Sequence, residues 1–451
     1  MQKYLSFRGK GTVLFVIFAL LFVHGVSAAD GDSVEGDNID GATVDGGNID
    51  GDTMEKEDTG SISFGGSFFS TFTALWEWND EISQPEQLFS PDEDELLIDL
   101  GANLNFDARP NPHFRAFGNV KLFYPFNVET DLNEQLPDHS FVANNIVVTE
   151  LYSQFDWKNI LYFQVGKTRI PWGRGYFFNP ADVINPGYID PLDPEADQEG
   201  PVFAMIQVPF SILEISLYVS TENALDPYEV GIAPKVVLDI SPVIVEAGAY
   251  YQFYEGFNPS ISVTLELWHF DIYTQGVLTY GTRRNLLEES DSGTIFPQGI
   301  SVVQRDDEVF FSSSTGVKYS EPTPKLTDQA EYYYNGFGSG SESVIENGGL
   351  DLLLIQERVT EEELLYRGEH YVAGLLEWEL FNTGLTPSVT GIVGLSAPSA
   401  KVIPALSWSP FQYLEIGISV PMEFGEPGGE FSPDATNFGF GFYLTLGSGS
   451  F

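Results

Sequence analysis

Beyond residue 60 the chain alternates apolar and polar side chains with a period of two, segment after segment. Ile62, Phe64, Phe68, Phe72, Ala74, Trp76 and Trp78 share one parity, against Ser61, Ser63, Ser67, Thr71, Thr73 and Glu77 on the other. Leu96, Ile98, Leu100, Ala102, Leu104 and Phe106 alternate with Asp99, Asn103, Asn105 and Asp107. The same texture returns in Ile261–Leu267, in Leu414–Val420 and in the row Phe438, Phe440, Phe442, Leu444 and Leu446. Successive side chains of a strand point to opposite faces, so each segment carries one greasy face and one polar, glycine-rich face.

Two architectures use such strands. A sandwich buries its apolar faces against each other, whereas a membrane barrel turns them out to lipid around a polar lumen. Segments of about 9–14 residues exceed the usual soluble strand of about 5–6 and suit a tilted crossing. Tight turns near Pro110, Lys158, Pro209, Pro242, His269, Pro322, Thr383 and Pro410 alternate with longer stretches, as in barrels with short periplasmic turns and long external loops. Trp76, Trp78, Trp157, Trp268, Trp378 and Trp408 sit beside segment ends, where an interfacial girdle belongs. The fold expected is an all-β, antiparallel, up-and-down transmembrane barrel of about 18 strands, with 16 as the alternative count.

Charge narrows the function. Acidic residues number 66 against 20 basic, a net charge of −46, and there is no cysteine. Nucleic acid is excluded as a partner for want of basic clusters; disulfides and thiolate metal sites are excluded outright. Placing the polar parity inside puts Glu77, Asp99, Asp107, Glu150, Glu214, Glu246, Glu266, Glu377, Glu379 and Glu415 in the lumen, with Arg115, Lys121, Lys235 and Lys318 as the bases there. Such a lumen concentrates cations and repels anions.

The first residues read as an address. Lys3, Arg8 and Lys10 precede an apolar run from Thr12 to Val23, then small residues through Ala28 and Ala29, the layout of a secretory signal over 1–29. Residues 30–60 follow as an acidic tether built on the five-residue repeat GDSVE, GDNID, GATVD, GGNID, GDTME, which matches neither helix nor strand periodicity. The barrel is then expected over 61–451. Its terminal Phe451 resembles the signal by which the outer-membrane assembly machinery takes up its substrates.

One segment departs from the alternation. Lys167, Arg169 and Arg174 fall within eight positions, and Lys167 and Arg169 have the parity of the lipid face. Either the register slips at Gly166 or the chain has already left the bilayer. The run from Gly166 to Pro186 fits G-K-x-R-I-x-W-G-x-G-x-x-F-N-P-x-D-x-I-N-P, which is similar to a motif in poorly characterised porin-like outer-membrane proteins. The resemblance covers residues 160–190 and implies an outer-membrane channel with no particular substrate. In general porins the loop after the fifth strand folds inward as a constriction. By that analogy Lys167, Arg169, Trp172, Arg174, Asp182 and Asp190 are candidates for a constriction over 170–200. The competing reading is a structural network pinning a long loop to the rim. In both, Trp172 and Phe177 anchor the loop.

A passive channel for small hydrophilic or cationic solutes is the function expected. The alternative is a non-conducting surface protein binding ligands or partners through external loops such as 283–304 and 339–366. An enzyme is not expected, since no G-x-S-x-G occurs and His113, His139, His269 and His370 lack metal-ligand spacing. Neither cofactor nor metal is called for, the partners are lipid and the assembly machinery, and a homotrimer is compatible with the sequence.

Overall fold

The computed structural model describes residues 60–78, 91–125, 146–185, 187, 189–194, 196, 198, 200–221, 227–290, 299–322, 325–346, 350–381, 383–426, 428–432 and 437–447. The signal segment, the acidic tether apart from Gly60, and Phe451 lie outside them.

The strands run in chain order as β1 (Ser61–Trp78), β2 (Glu93–Asn111), β3 (Phe114–Pro125), β4 (Ile146–Trp157), β5 (Leu161–Lys167), β6 (Val202–Pro209) and β7 (Leu213–Ser220). Next come β8 (Gly231–Ile240), β9 (Val243–Gln252), β10 (Gly256–Leu267), β11 (Phe270–Tyr280), β12 (Asn285–Glu289), β13 (Ile300–Gln304) and β14 (Val309–Pro322). The last are β15 (Lys325–Tyr334), β16 (His370–Trp378), β17 (Leu385–Gly394), β18 (Ser399–Phe411), β19 (Leu414–Ser419), β20 (Met422–Phe424) and β21 (Phe438–Gly447). Apart from the β12–β13 hairpin, each strand pairs antiparallel with its neighbour in sequence, and β21 returns to pair with β1. β18 pairs with both β19 and β20, which are two parts of one crossing interrupted at Val420 and Pro421, where proline has no N–H to give. Among the described residues this makes a closed barrel of 18 antiparallel strands.

Closure removes every free edge and leaves each face of the sheet to a different environment. The Phe438–Leu446 row faces out at the seam, where Trp78 stacks on Phe438 with centroids 4.8 Å apart, and Phe72 meets Phe442 edge-on at 6.2 Å. Among the described residues no second sheet covers that row, which rules out the sandwich. Phe64, Ile261, Leu278 and Leu446 are among many bulky apolar side chains left exposed on the outside. Trp157, Trp268, Trp378 and Trp408 are exposed at the end of the barrel that carries the tight turns.

Strand length varies more than the alternation suggests. β1 and β2 have 18 and 19 residues, while β5, β6 and β7 have 7, 8 and 8. At the loop end, β12 and β13 pack against short helices α1 (Glu342–Ile345), α2 (Asp351–Ile355) and α3 (Glu361–Leu364), through a small core of Ile300, Leu350, Leu353 and Val359. Two connections expected only as loops thus fold together as a roof over one side of the mouth. Asn285 fastens them, donating from its backbone and side-chain amides to Glu363 at 2.7–3.1 Å.

Candidate functional site

β5 stops at Lys167, directly after Gly166 adopts a φ of 138° that only glycine accepts readily. The alternation thus ends because the strand ends: Lys167 keeps the outward parity at its last position, and the next residues leave the sheet. Thr168 turns inward and donates from its hydroxyl to Glu150 Oε1 at 2.6 Å. Residues 168–185, the strap, then run along the inner wall from strand to strand.

Each step of that path is held by a side chain of inward parity. Lys235 on β8 donates to the Pro171 carbonyl and ion-pairs with Glu246 of β9 at 3.0 Å. The other Glu246 oxygen accepts the Gly173 N–H at 2.8 Å. Trp172 donates its indole N–H to Ser260 on β10, and its ring lies on β9 at Gly248, where any Cβ would collide with it. Gln275 on β11 accepts the Arg174 N–H at 2.8 Å and gives its amide to the Phe178 carbonyl, which Ser314 of β14 also reaches. Glu331 on β15 accepts three donors on one oxygen, the N–H groups of Tyr176 and Phe177 and the Tyr273 hydroxyl, at 2.9–3.0 Å.

Between these polar pins the strap buries its greasy side chains. Ile170, Trp172 and Ile184 pack with Phe203, Met205, Tyr218, Ala233 and Tyr250 from β6 to β9. Phe177 and Phe178 pack with Tyr371, Ala373 and Ile392 from β16 and β17. The inner face of β6–β17 is therefore not the uniformly polar surface expected. It is partly a protein core that the strap completes, and it is apolar because it is dry. Across the barrel, β2 and β3 keep polar and charged groups inside, with Lys121 over the rings of Phe69 and Phe123 and Arg115 ion-paired with Asp107 at 3.0 Å.

The strap's own turns account for the motif. Asn179 donates to the Trp172 carbonyl at 2.8 Å, folding the strap back on itself beside Gly173, whose φ of 77° and whose contact with Asn179 admit no side chain. Asn185 accepts the Ile170 N–H and donates to the Ile170 carbonyl and to Asp182. Arg169 stands 3.8 Å from Asp182. Burial pushes the Asp182 carboxyl up to about 6, against the opposing pull of Arg169, the Asn185 hydrogen bonds and Lys235.

The other candidates are spread over the wall. Arg169, Trp172 and Asp182 come together with Lys235 and Glu246; Arg174 lies 4.0 Å from Glu246. Asp190 caps its own turn by accepting the Leu192 N–H. Glu246 is buried beneath the strap. Near the turn end, Glu266 lies opposite Asp271, and Asp271 opposite Lys318. Glu379 is paired with Lys325 at 2.8 Å, and Glu415 accepts the Tyr443 hydroxyl at 2.7 Å. Glu214 accepts from Ser216, while Glu77 and Asp99 sit on the long β1–β2 wall and Glu377 ends β16 near the turns. Sequence reasoning missed Glu331, Gln275 and Ser260. The available signal was weak: Gln329, Glu331 and Tyr333 put a carboxylate inside a row of otherwise neutral hydrogen-bonding side chains.

The molecule is a closed cylinder with a long connection laid along its inner wall. The fold is a porin-like β-barrel. No family model and no curated protein matches the sequence. Among solved structures, a mutant of the porin of Rhodopseudomonas blastica spans 86% of this chain and 100% of its own at 8% identity and a TM-score of 0.43. A triple mutant of the same porin gives the same coverage and identity with a TM-score of 0.42.

Proposed function

We propose that this porin-like barrel is an outer-membrane channel for passive diffusion of small hydrophilic solutes, narrowed by the strap and preferring cations. The observation that carries the reading is the strap itself, pinned to inward side chains from β8 to β15 so that solutes pass between it and the opposite wall. An apolar outer surface on a closed sheet supports placement in a bilayer. The cation preference rests on the inward carboxylates near the turn end, Glu266, Asp271, Glu377 and Glu415, and not on Glu246, which the strap consumes. Arg174 at the strap's edge is the basic group offered to the narrowing.

Planar-bilayer recording tests this. An ohmic conductance with a cation-positive reversal potential in a salt gradient is expected, and Glu266→Gln with Glu415→Gln should move that potential toward zero. An unchanged potential would remove these carboxylates from the conduction path. A correctly folded barrel that carries no current would remove the channel.

A further inference from the structure

Above the strap lies a chamber of about 880 Å³, floored by residues 177–185 and walled by the loop ends of β7 and β9–β11 and by the roof connections. Its volume lies in the range of small-molecule sites, about 300–1,000 Å³. Plain diffusion gives no reason for a roofed chamber at the mouth. The lining supplies one.

Charged groups on this lining are already engaged. Glu363 takes the N–H groups of Asn285 and Thr360, and Asp182 takes those of Asn185 with Arg169 nearby. The Arg283 guanidinium lies 4.8 Å from the Tyr254 ring and 5.2 Å from that of Phe253. Glu229, Glu255 and Arg284 each have an interaction of their own. A cation entering here would lose water without gaining an unengaged carboxylate.

Neutral groups are in the opposite condition. Ser220, Asn258 and Thr279 are each more than nine-tenths buried, and all three line the chamber. Gln252 accepts the Tyr250 hydroxyl on Oε1, which leaves its NH₂ to donate; Asn258 gives its NH₂ to the Glu255 carbonyl, which leaves Oδ1 to accept. Among the described residues, neither these two atoms nor the hydroxyls of Ser220 and Thr279 have a protein partner. The row therefore presents a donor, an acceptor and two groups that do both, on the loop ends of β7, β9, β10 and β11. A hydroxyl is the ligand group that answers all of them.

We propose that this chamber is a binding site for uncharged polyhydroxylated solutes of short-oligosaccharide size, which it holds at the mouth before they pass the strap. The assignment rests on the channel reading for its purpose, but the binding can be measured without conduction.

Calorimetric titration of the refolded, detergent-solubilised barrel with the neutral trisaccharide raffinose is expected to show saturable binding in the millimolar range. Polyethylene glycol of equal hydrodynamic radius, whose ethers cannot donate, should give none. Thr279→Val, nearly isosteric, should weaken raffinose binding several-fold, and Gln252→Leu about tenfold. Heat-modifiable mobility on gels identifies the folded barrel for each variant. No saturable heat with raffinose, equal binding of the polymer, or unchanged affinity in both variants would overturn the site. Raffinose binding by a barrel that conducts no ions would support the site and overturn the channel. A conducting barrel that ignores raffinose would overturn the site alone.

Discussion

Replacing Glu331 with alanine should release the middle of the strap and leave the barrel standing. One oxygen of this carboxylate holds the N–H groups of Tyr176 and Phe177 together with the Tyr273 hydroxyl. Only the first two donors belong to the strap; hydrogen bonds to a charged group contribute about 1.5–3 kcal/mol each, so the two lost acceptances cost docking about 3–6 kcal/mol. Removing the carboxylate also removes its own burial penalty of several kcal/mol. The net is about 1.5 kcal/mol against the docked strap, a shift of about tenfold toward the released state. The ladder from β14 through β16 is untouched, because its pairing is made by the backbone. Limited trypsin digestion reads the released population directly, since cleavage after Arg174 requires the strap to leave the wall and tracks that population while reclosing is fast. The expected result is cleavage faster by about one order of magnitude, with flickering single-channel current. Glu331→Gln, which keeps one acceptor, should fall between the wild type and Glu331→Ala. Wild-type cleavage and quiet current in a folded Glu331→Ala barrel would refute the idea that this carboxylate holds the strap.

The strap should also respond to pH through Asp182. Burial raises this carboxyl from 3.8 to about 6, so docking takes up a proton: its contribution is full below about pH 4, declines between 4 and 6, and is level above. Strap-linked current noise should rise over that window in the wild type and stay flat in Asp182→Asn; parallel curves for the two would assign the effect elsewhere. On the outer wall, Ile261→Arg places a cation at the middle of β10 on the exposed face, at an expected cost of about 2–4 kcal/mol for folding into vesicles in a urea titration. Unchanged stability there would argue that lipid does not meet this face.

Much of this arrangement was legible from the alternation, and the reasons it stopped being so are local. The period of two assigns a face to each side chain, so the outward row of Phe438–Leu446 at the seam followed without coordinates. It says nothing about what covers a face. Phe203, Met205 and Tyr371 break the polar inner pattern because their partners come from the strap, far away in sequence. The motif around Trp172 and Asn185 was visible as a departure, and both readings of it were open. Its asparagines and Asp182 are occupied within the strap itself, and Arg174 lies 4.0 Å from Glu246. The roof hairpin and its short helices were not foreseen, since segments of four or five residues are too brief to show any periodicity.

The unequal strands have a mechanical consequence for the surrounding lipid. At about 3.3 Å per residue and a tilt near 40°, β1 and β2 stand about 45 Å tall, whereas β5 to β7 reach only about 20 Å. The apolar band of such a barrel is about 25 Å high, so a bilayer around this molecule would be pinched along the flank of β5 to β7. That flank would draw short-chained lipid toward itself and give the molecule a preferred orientation among its neighbours.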